Sequence, residues 1–186
     1  MSTTTRRYTL DEFYDLLQQS HARHEYVDGE IIEMVGGSAA HNQLFFNLTC
    51  QLVYHFNRPG YHVSLGNTCV KIPGADRVFF PDAAVVVGTV ERAPRQLETI
   101  LNPKVVFEIL SPSTEQFDRG EKFADYKQIQ DLEYYVLISQ DELLVERFVR
   151  QSNGEWLSDA VTERQASIRF ESLDWTLSLS DLYKGV

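Results

Sequence analysis

Cysteine is scarce in this chain. Two residues occur in 186, Cys50 and Cys69, and neither belongs to a CxxC pair. That counts against a disulfide framework and against a zinc site built from paired thiols. Each lies in an apolar-rich segment and is expected as a buried thiol. Long apolar runs are missing too. No stretch approaches the length of a membrane span, and the opening MSTTTRRYTL lacks the apolar region of a signal peptide, so a cytoplasmic location is expected. Positive charge is in deficit: 17 Lys and Arg stand against 27 Asp and Glu, for a net charge of −10. This counts against a protein that coats nucleic acid through a broad basic face. It leaves room for an enzyme that grips phosphate locally, through a cation and a few basic residues. No GxSxG, HExxH or P-loop occurs, and the aromatics form no RNP-like stacking motif.

What is present is an ordinary globular composition, 43% apolar and 24% charged, enough for one hydrophobic core. One domain over 1–186 is expected, with a core over about 38–140, an N-terminal helix and hairpin over 9–34, and a C-terminal β extension over 141–186. Thr9 and Glu12 have capping-box spacing and open a helix over about 10–18. Asp28-Gly29 between two short β-prone runs predicts a tight type I′ hairpin. Gly36-Gly37-Ser38 breaks the chain and caps a long helix over 39–57, whose apolar face is read as Leu44, Phe45, Leu48, Leu52, Val53 and Phe56. Strands follow at about 61–65, 68–72 and 79–87, then a long connection over 88–103, a strand over 104–110, a helix over about 119–129 and a strand over 133–139. Further strands near 143–150, 155–161 and 167–178 precede a short terminal helix. The order predicts an α/β sandwich, a mixed central sheet flanked by helices.

Two acids stand out against this pattern. Asp82 opens the apolar run Ala83-Ala84-Val85-Val86-Val87, and Glu108 interrupts Val105-Val106-Phe107-Glu108-Ile109-Leu110. Desolvating an unpaired carboxylate costs several kcal/mol, roughly, even after relaxation. Each acid therefore needs a partner. A divalent cation shared between two such acids at one sheet end would take hard oxygen ligands and activate a water. A strand cap or an ion pair with a nearby Arg or Lys would serve each acid equally well.

Pro81-Asp82 followed by Glu108 in a later apolar strand resembles the PD-(D/E)XK nuclease signature. The stretches Glu25-Tyr26-Val27-Asp28-Gly29-Glu30, His41-Asn42-Gln43, Phe80-Pro81-Asp82, Glu108-Ile109-Leu110-Ser111-Pro112-Ser113-Thr114 and Asp118-Arg119-Gly120-Glu121-Lys122-Phe123-Ala124-Asp125-Tyr126 resemble, in order, the Uma-type family of proposed restriction endonucleases. The resemblance implies a restriction-endonuclease-like sandwich with extra C-terminal strands. It also implies Mg²⁺ or Mn²⁺ as cofactor, held by Asp82 and Glu108, and hydrolysis of phosphodiester bonds in nucleic acid, DNA by preference. The signature lysine should stand at position 110, which is leucine here. Lys122 is the leading substitute and Lys127 the runner-up. Glu25 is the candidate for a third metal carboxylate, ahead of Glu30. His41, Arg119 and Tyr126 are candidate substrate contacts, although Asp118 and Glu121 offer Arg119 simpler salt bridges. A two-fold homodimer is the default assembly. Two rivals stay open at this point: a binding module that has lost hydrolysis, and a structural protein dimerising through an exposed strand of the C-terminal β region.

Overall fold

The computed structural model describes residues 6–20, 22–34, 36–93 and 99–186. Local chemistry accounts for the N-terminal elements. Helix α1 (Leu10–Gln19) starts in a complete capping box, the Thr9 side chain accepting from the Glu12 amide and the Glu12 carboxylate accepting from the Thr9 amide. Strands β1 (His24–Val27) and β2 (Glu30–Glu33) turn over Asp28 at φ 49° and Gly29 at φ 92°, the two positive angles of a type I′ turn. Helix α2 (Ala39–Phe56) is capped by the Ser38 hydroxyl, which accepts from the His41 amide.

The chain then builds β3 (Tyr61–Leu65), β4 (Cys69–Lys71), β5 (Arg77–Phe79), β6 (Ala83–Val87), β7 (Thr99–Ile100) and β8 (Val105–Leu110). Two short helices follow, α3 (Glu115–Arg119) and α4 (Glu121–Tyr126), and then β9 (Tyr134–Ser139), β10 (Val145–Arg150), β11 (Trp156–Val161), β12 (Ser167–Phe170), β13 (Trp175–Ser178) and α5 (Leu179–Leu182). A six-stranded mixed sheet in the order β11-β10-β9-β8-β6-β3 forms the centre, with β8 and β9 parallel. Residues of alternate parity along its strands feed two cores. Val85, Phe107 and Ile109 pack with α2, the β12-β13 hairpin and α5. Ala84, Val86, Val106 and Leu110 pack with Phe123 and Tyr126 of α4 and with Val70 and Phe79 of a second sheet. The architecture is the expected mixed sheet between helices, with extra C-terminal strands.

The second sheet was not foreseen. It has five strands in the order β2-β1-β5-β4-β7, and α1 closes it through Phe13, Tyr14, Tyr26 and Val78. The expected single strand over 79–87 is in fact two, because Pro81 has no amide to give to a ladder. The chain leaves the small sheet at Phe79 and enters the large one at Ala83. The expected helix over 119–129 is also shorter and split at Gly120. Of the expected 88–103 connection, β7 and a bridge from Arg92 to Ile100 are ordered structure, and residues 94–98 lie outside the described residues. Cys69 is buried, but Cys50 is exposed, against expectation, and so is Val53, because both lie on the side of α2 turned away from the core. Among the described residues no helix is long and apolar enough to cross a membrane.

Candidate active site

The corner where the chain changes sheets is where the acids meet. The antiparallel register Ala84↔Val106 and Ala83↔Phe107 runs on to set Asp82 opposite Glu108, and residues directly opposite in such a pair share one face of the sheet. Glu108 shares parity with Val106 and faces the side covered by α4, whereas Asp82 stands just before the start of β6 and lies near His41 of α2. The Ile109 amide donates to Asp82 Oδ2 at 2.7 Å. Glu25, on β1, comes in from the small sheet and accepts from the Phe80 amide at 3.1 Å. It is buried rather than lying on an exposed hairpin.

Lys122 of α4 closes the cluster. Its Nζ lies 2.9 Å from Glu25 Oε1, 2.9 Å from Glu108 Oε1 and 3.4 Å from Asp118 Oδ1. It is 2% exposed. Position 110, where the signature would put a lysine, is a core leucine packed against the same helices. The cation therefore arrives from the helix, one sheet layer above, at hydrogen-bond distance from Glu108. Lys127 instead lies over the Phe123 ring at 4.6 Å.

Burial works against charge on both Glu108 and Lys122, and the field around them decides the outcome. Desolvation drives the Glu108 carboxyl well above its ordinary range. Lys122 opposes that rise, and Asp118, Asp82 and Glu25 add to it. Desolvation also penalises the Lys122 ammonium, but Glu108, Glu25 and Asp118 together outweigh it and hold the amine well above its usual value. Lys122 is thus a fixed positive charge at neutral pH.

The remaining expected residues divide. His41 stands at the start of α2, with Nε2 3.5 Å from Asp82 Oδ2. Tyr126, expected as a substrate contact, is fully buried, and its hydroxyl donates to Glu108 Oε1 at 3.2 Å. It supports the acid and has no surface to offer a ligand. Arg119 is not brought to the cluster. It pairs with Glu115 at 2.7 Å and with Glu146 on β10. The acids once assigned to it serve elsewhere, Asp118 on Lys122 and Glu121 on Arg77. Asp118 was therefore missed as a member of the cluster. Its spacing four residues before Lys122 was the available signal. Arg23 was missed as well. Its guanidinium donates to the Gly66 carbonyl at 3.2 Å, and the Gly66 amide donates to the Asp82 carbonyl at 2.9 Å.

The donor set suits a hard cation in part. Among the described residues no three His, Cys, Asp or Glu form a ready metal-ligand group. Asp82 Oδ2 and Glu108 Oε1 are engaged by protein donors, whereas Asp82 Oδ1 and Glu108 Oε2 accept no hydrogen bond among the described residues and are not buried orphans. Two carboxylate oxygens are what Mg²⁺ commonly takes from a protein, and they fall short of a full cage.

A mixed sheet, two flanking helix layers and a sheet-corner cluster of Asp, Glu and Lys define a restriction-endonuclease-like protein. The chain belongs to the Uma2 family, described as "Putative restriction endonuclease", which it matches over residues 10–180. Two uncharacterized proteins of Synechocystis sp. resemble it along most of its length. The protein sll1609 is 30% identical over 167 residues, 90% of this chain and 94% of its own. The protein slr1290 is 31% identical over 180 residues, 95% of this chain and 91% of its own. The crystal structure of a "putative nuclease belonging to DUF820" from Anabaena variabilis has the same fold. The TM-score is 0.76 at 22% identity, over 95% of this chain and 98% of that one.

Proposed function

We propose that this chain is a metal-dependent endonuclease that hydrolyses phosphodiester bonds, with DNA as the substrate favoured by the family description. The observation that carries the reading is the meeting of Asp82, Glu108 and Lys122 at one sheet corner, two acids opposite each other and a buried cation on the second. In this reading the open oxygens of Asp82 and Glu108 hold Mg²⁺ or Mn²⁺. The carbonyl of Ile109, whose amide already serves Asp82, would add a further oxygen. The ion, when bound, supplies a Lewis acid for the phosphoryl oxygen and an acidified water.

The chain's own residues do the rest. Lys122 keeps its proton, so it acts as fixed positive charge toward the phosphate and as a hydrogen-bond donor to the attacking water, not as a base. Glu25 and Asp118 hold the amine in place. Glu25 is also the reserve carboxylate for the ion in this reading. His41, beside Asp82, orients the water or a phosphate oxygen. Arg23 has no carboxylate partner among the described residues, which leaves its planar fork for a backbone phosphate.

Titration calorimetry with Mg²⁺ and Mn²⁺, paired with cleavage of a panel of DNA and RNA substrates, tests the proposal. Wild type is expected to bind metal in the millimolar range or tighter and to cleave. Asp82→Ala, folded, is expected to lose both, with cleavage down by at least about a hundredfold, the scale of a lost electrostatic contact. An Asp82→Ala protein that cleaves as well as wild type overturns the assignment. A wild type that binds neither metal returns the binding-module reading.

A further inference from the structure

Among the described residues seven large hydrophobic side chains are exposed, and three of them, Phe46, Val53 and Tyr54, share the outer face of α2. Tyr54 is 95% exposed and Phe46 61%. The exposed thiol of Cys50 lies on the same face. The helix has already satisfied its core, burying Leu44, Leu48, Leu52 and Phe56 on the opposite side. Two apolar sides on one surface helix mean that the second awaits a partner. Beside it runs a groove between α2 and the C-terminal tail, bordered by Gln43, Gln51, Asp181 and Lys184. The tail is fixed there by the Asn47 amide, which donates to the carbonyls of Leu182 and Lys184 at 2.8 Å each.

Charge and spacing choose the partner. α2 has no Asp, Glu, Lys or Arg in its 18 residues, in a chain of net charge −10. Two copies of an acidic protein meet at the lowest electrostatic cost where neither presents acid. The charged groups at the groove, Asp181 and Lys184, are opposite in sign and have no ion-pair partner in their own chain among the described residues. Along the helix, Asn42, Phe46, Cys50 and Tyr54 recur every fourth residue and form one ridge. Turned end for end about Cys50, that ridge sets Phe46 against the partner's Tyr54 and Tyr54 against the partner's Phe46, with the smallest side chain at the crossing point. Such self-complementarity is what a two-fold interface demands.

We infer that the outer face of α2 is a homodimer interface, its helices packed antiparallel with Cys50 at the two-fold axis. A helix of this length spans about 27 Å at 1.5 Å per residue. Helix contact alone is less than the roughly 800 Å² per partner of a stable interface, and the groove residues extend it as a polar rim. The alternative edge, β11, offers exposed Leu157, but its neighbour Asp159 is already paired with Arg147. The inference does not depend on the hydrolytic reading.

Sedimentation equilibrium on the full chain tests it, together with cross-linking by a short bismaleimide. Wild type is expected to be a dimer that cross-links through Cys50 and fails to do so as Cys50→Ser. Phe46→Glu and Tyr54→Glu each are expected to raise the dimer Kd by about a hundredfold or more, because a hot-spot loss of about tenfold is felt in both copies. Far-ultraviolet circular dichroism is expected to stay native, since both side chains are exposed. Leu157→Glu is expected to leave the dimer intact. A monomeric wild type overturns the inference, as does a dimer that survives both α2 substitutions. A dimer that Phe46→Glu breaks but Cys50 does not cross-link overturns the antiparallel arrangement.

Discussion

A single lysine holds together three acids that would otherwise repel. Lys122 is almost fully buried, with Glu25, Glu108 and Asp118 all within 3.4 Å, so its removal strands uncompensated charge in a dry corner. Lys122→Met is expected to lower stability by about 3–5 kcal/mol, the range for breaking a buried ion pair from one side. Lys122→Met combined with Glu108→Gln is expected to recover part of that loss. Urea unfolding of the two singles and the double checks this as a double-mutant cycle. A coupling energy near zero would mean that the amine and Glu108 do not interact. Added Mg²⁺ is expected to stabilise Lys122→Met, since a divalent ion can take over the missing neutralisation.

At the scale of elements, the N-terminus of α2 has one task besides entering the core, which is to set His41 against Asp82. Gly37 makes this possible by having no side chain. A Cβ there would lie 2.6 Å from His41 Nδ1 and 2.8 Å from its Cγ. Gly37→Ala is therefore expected to push the imidazole off Asp82 at a stability cost of about 1–3 kcal/mol, the range for overpacking, because the ring is only 14% exposed. Its cleavage rate is expected to fall to that of His41→Ala. Full activity in Gly37→Ala beside a crippled His41→Ala would show that the ring stays in place. The start of this helix was legible in the sequence, as were the α1 capping box and the Asp28-Gly29 turn, because caps and tight turns are written in two to four adjacent residues. The small sheet was not. It pairs β1 with β5 and β4 with β7 across long separations, and β7 is only two residues long. The site shows the same division. Asp82 and Glu108 could be singled out because a charge is conspicuous in an apolar run, and Lys122 through the family-like stretch that follows Glu108. The partners of Asp118 and Arg119 were misread because neighbouring residues of one helix point roughly 100° apart, which sends Asp118 to Lys122 and Arg119 to Glu115 and Glu146.

For the whole molecule, the polar groups locked inside the cores set a limit at high pH. Tyr126 and Tyr135 are held well above the ordinary phenol range, first by burial and then by the field of Glu108. Tyr183 is pushed up to about 12 by burial, while its hydroxyl donates to the carbonyls of Ser139 and Leu144. Below pH 10 the folded and unfolded chains keep the same phenolic protons, so these groups give stability no pH dependence there. Above the unfolded value of about 10, the unfolded chain ionises while the folded one does not, and stability falls with rising pH. A two-unit rise at Tyr183 alone removes about 2 kcal/mol by pH 12, at 1.36 kcal/mol per unit. Alkaline titration followed by phenolate absorbance and circular dichroism together is expected to show exposed tyrosines ionising smoothly. Tyr126, Tyr135 and Tyr183 are expected to ionise only as the fold is lost. Tyr183→Phe is expected to flatten the alkaline slope while lowering stability at neutral pH by about 1 kcal/mol, through the loss of its hydrogen bonds. If all nine tyrosines titrate near pH 10 with the native dichroism intact, the two faces of the central sheet are not the closed cores described.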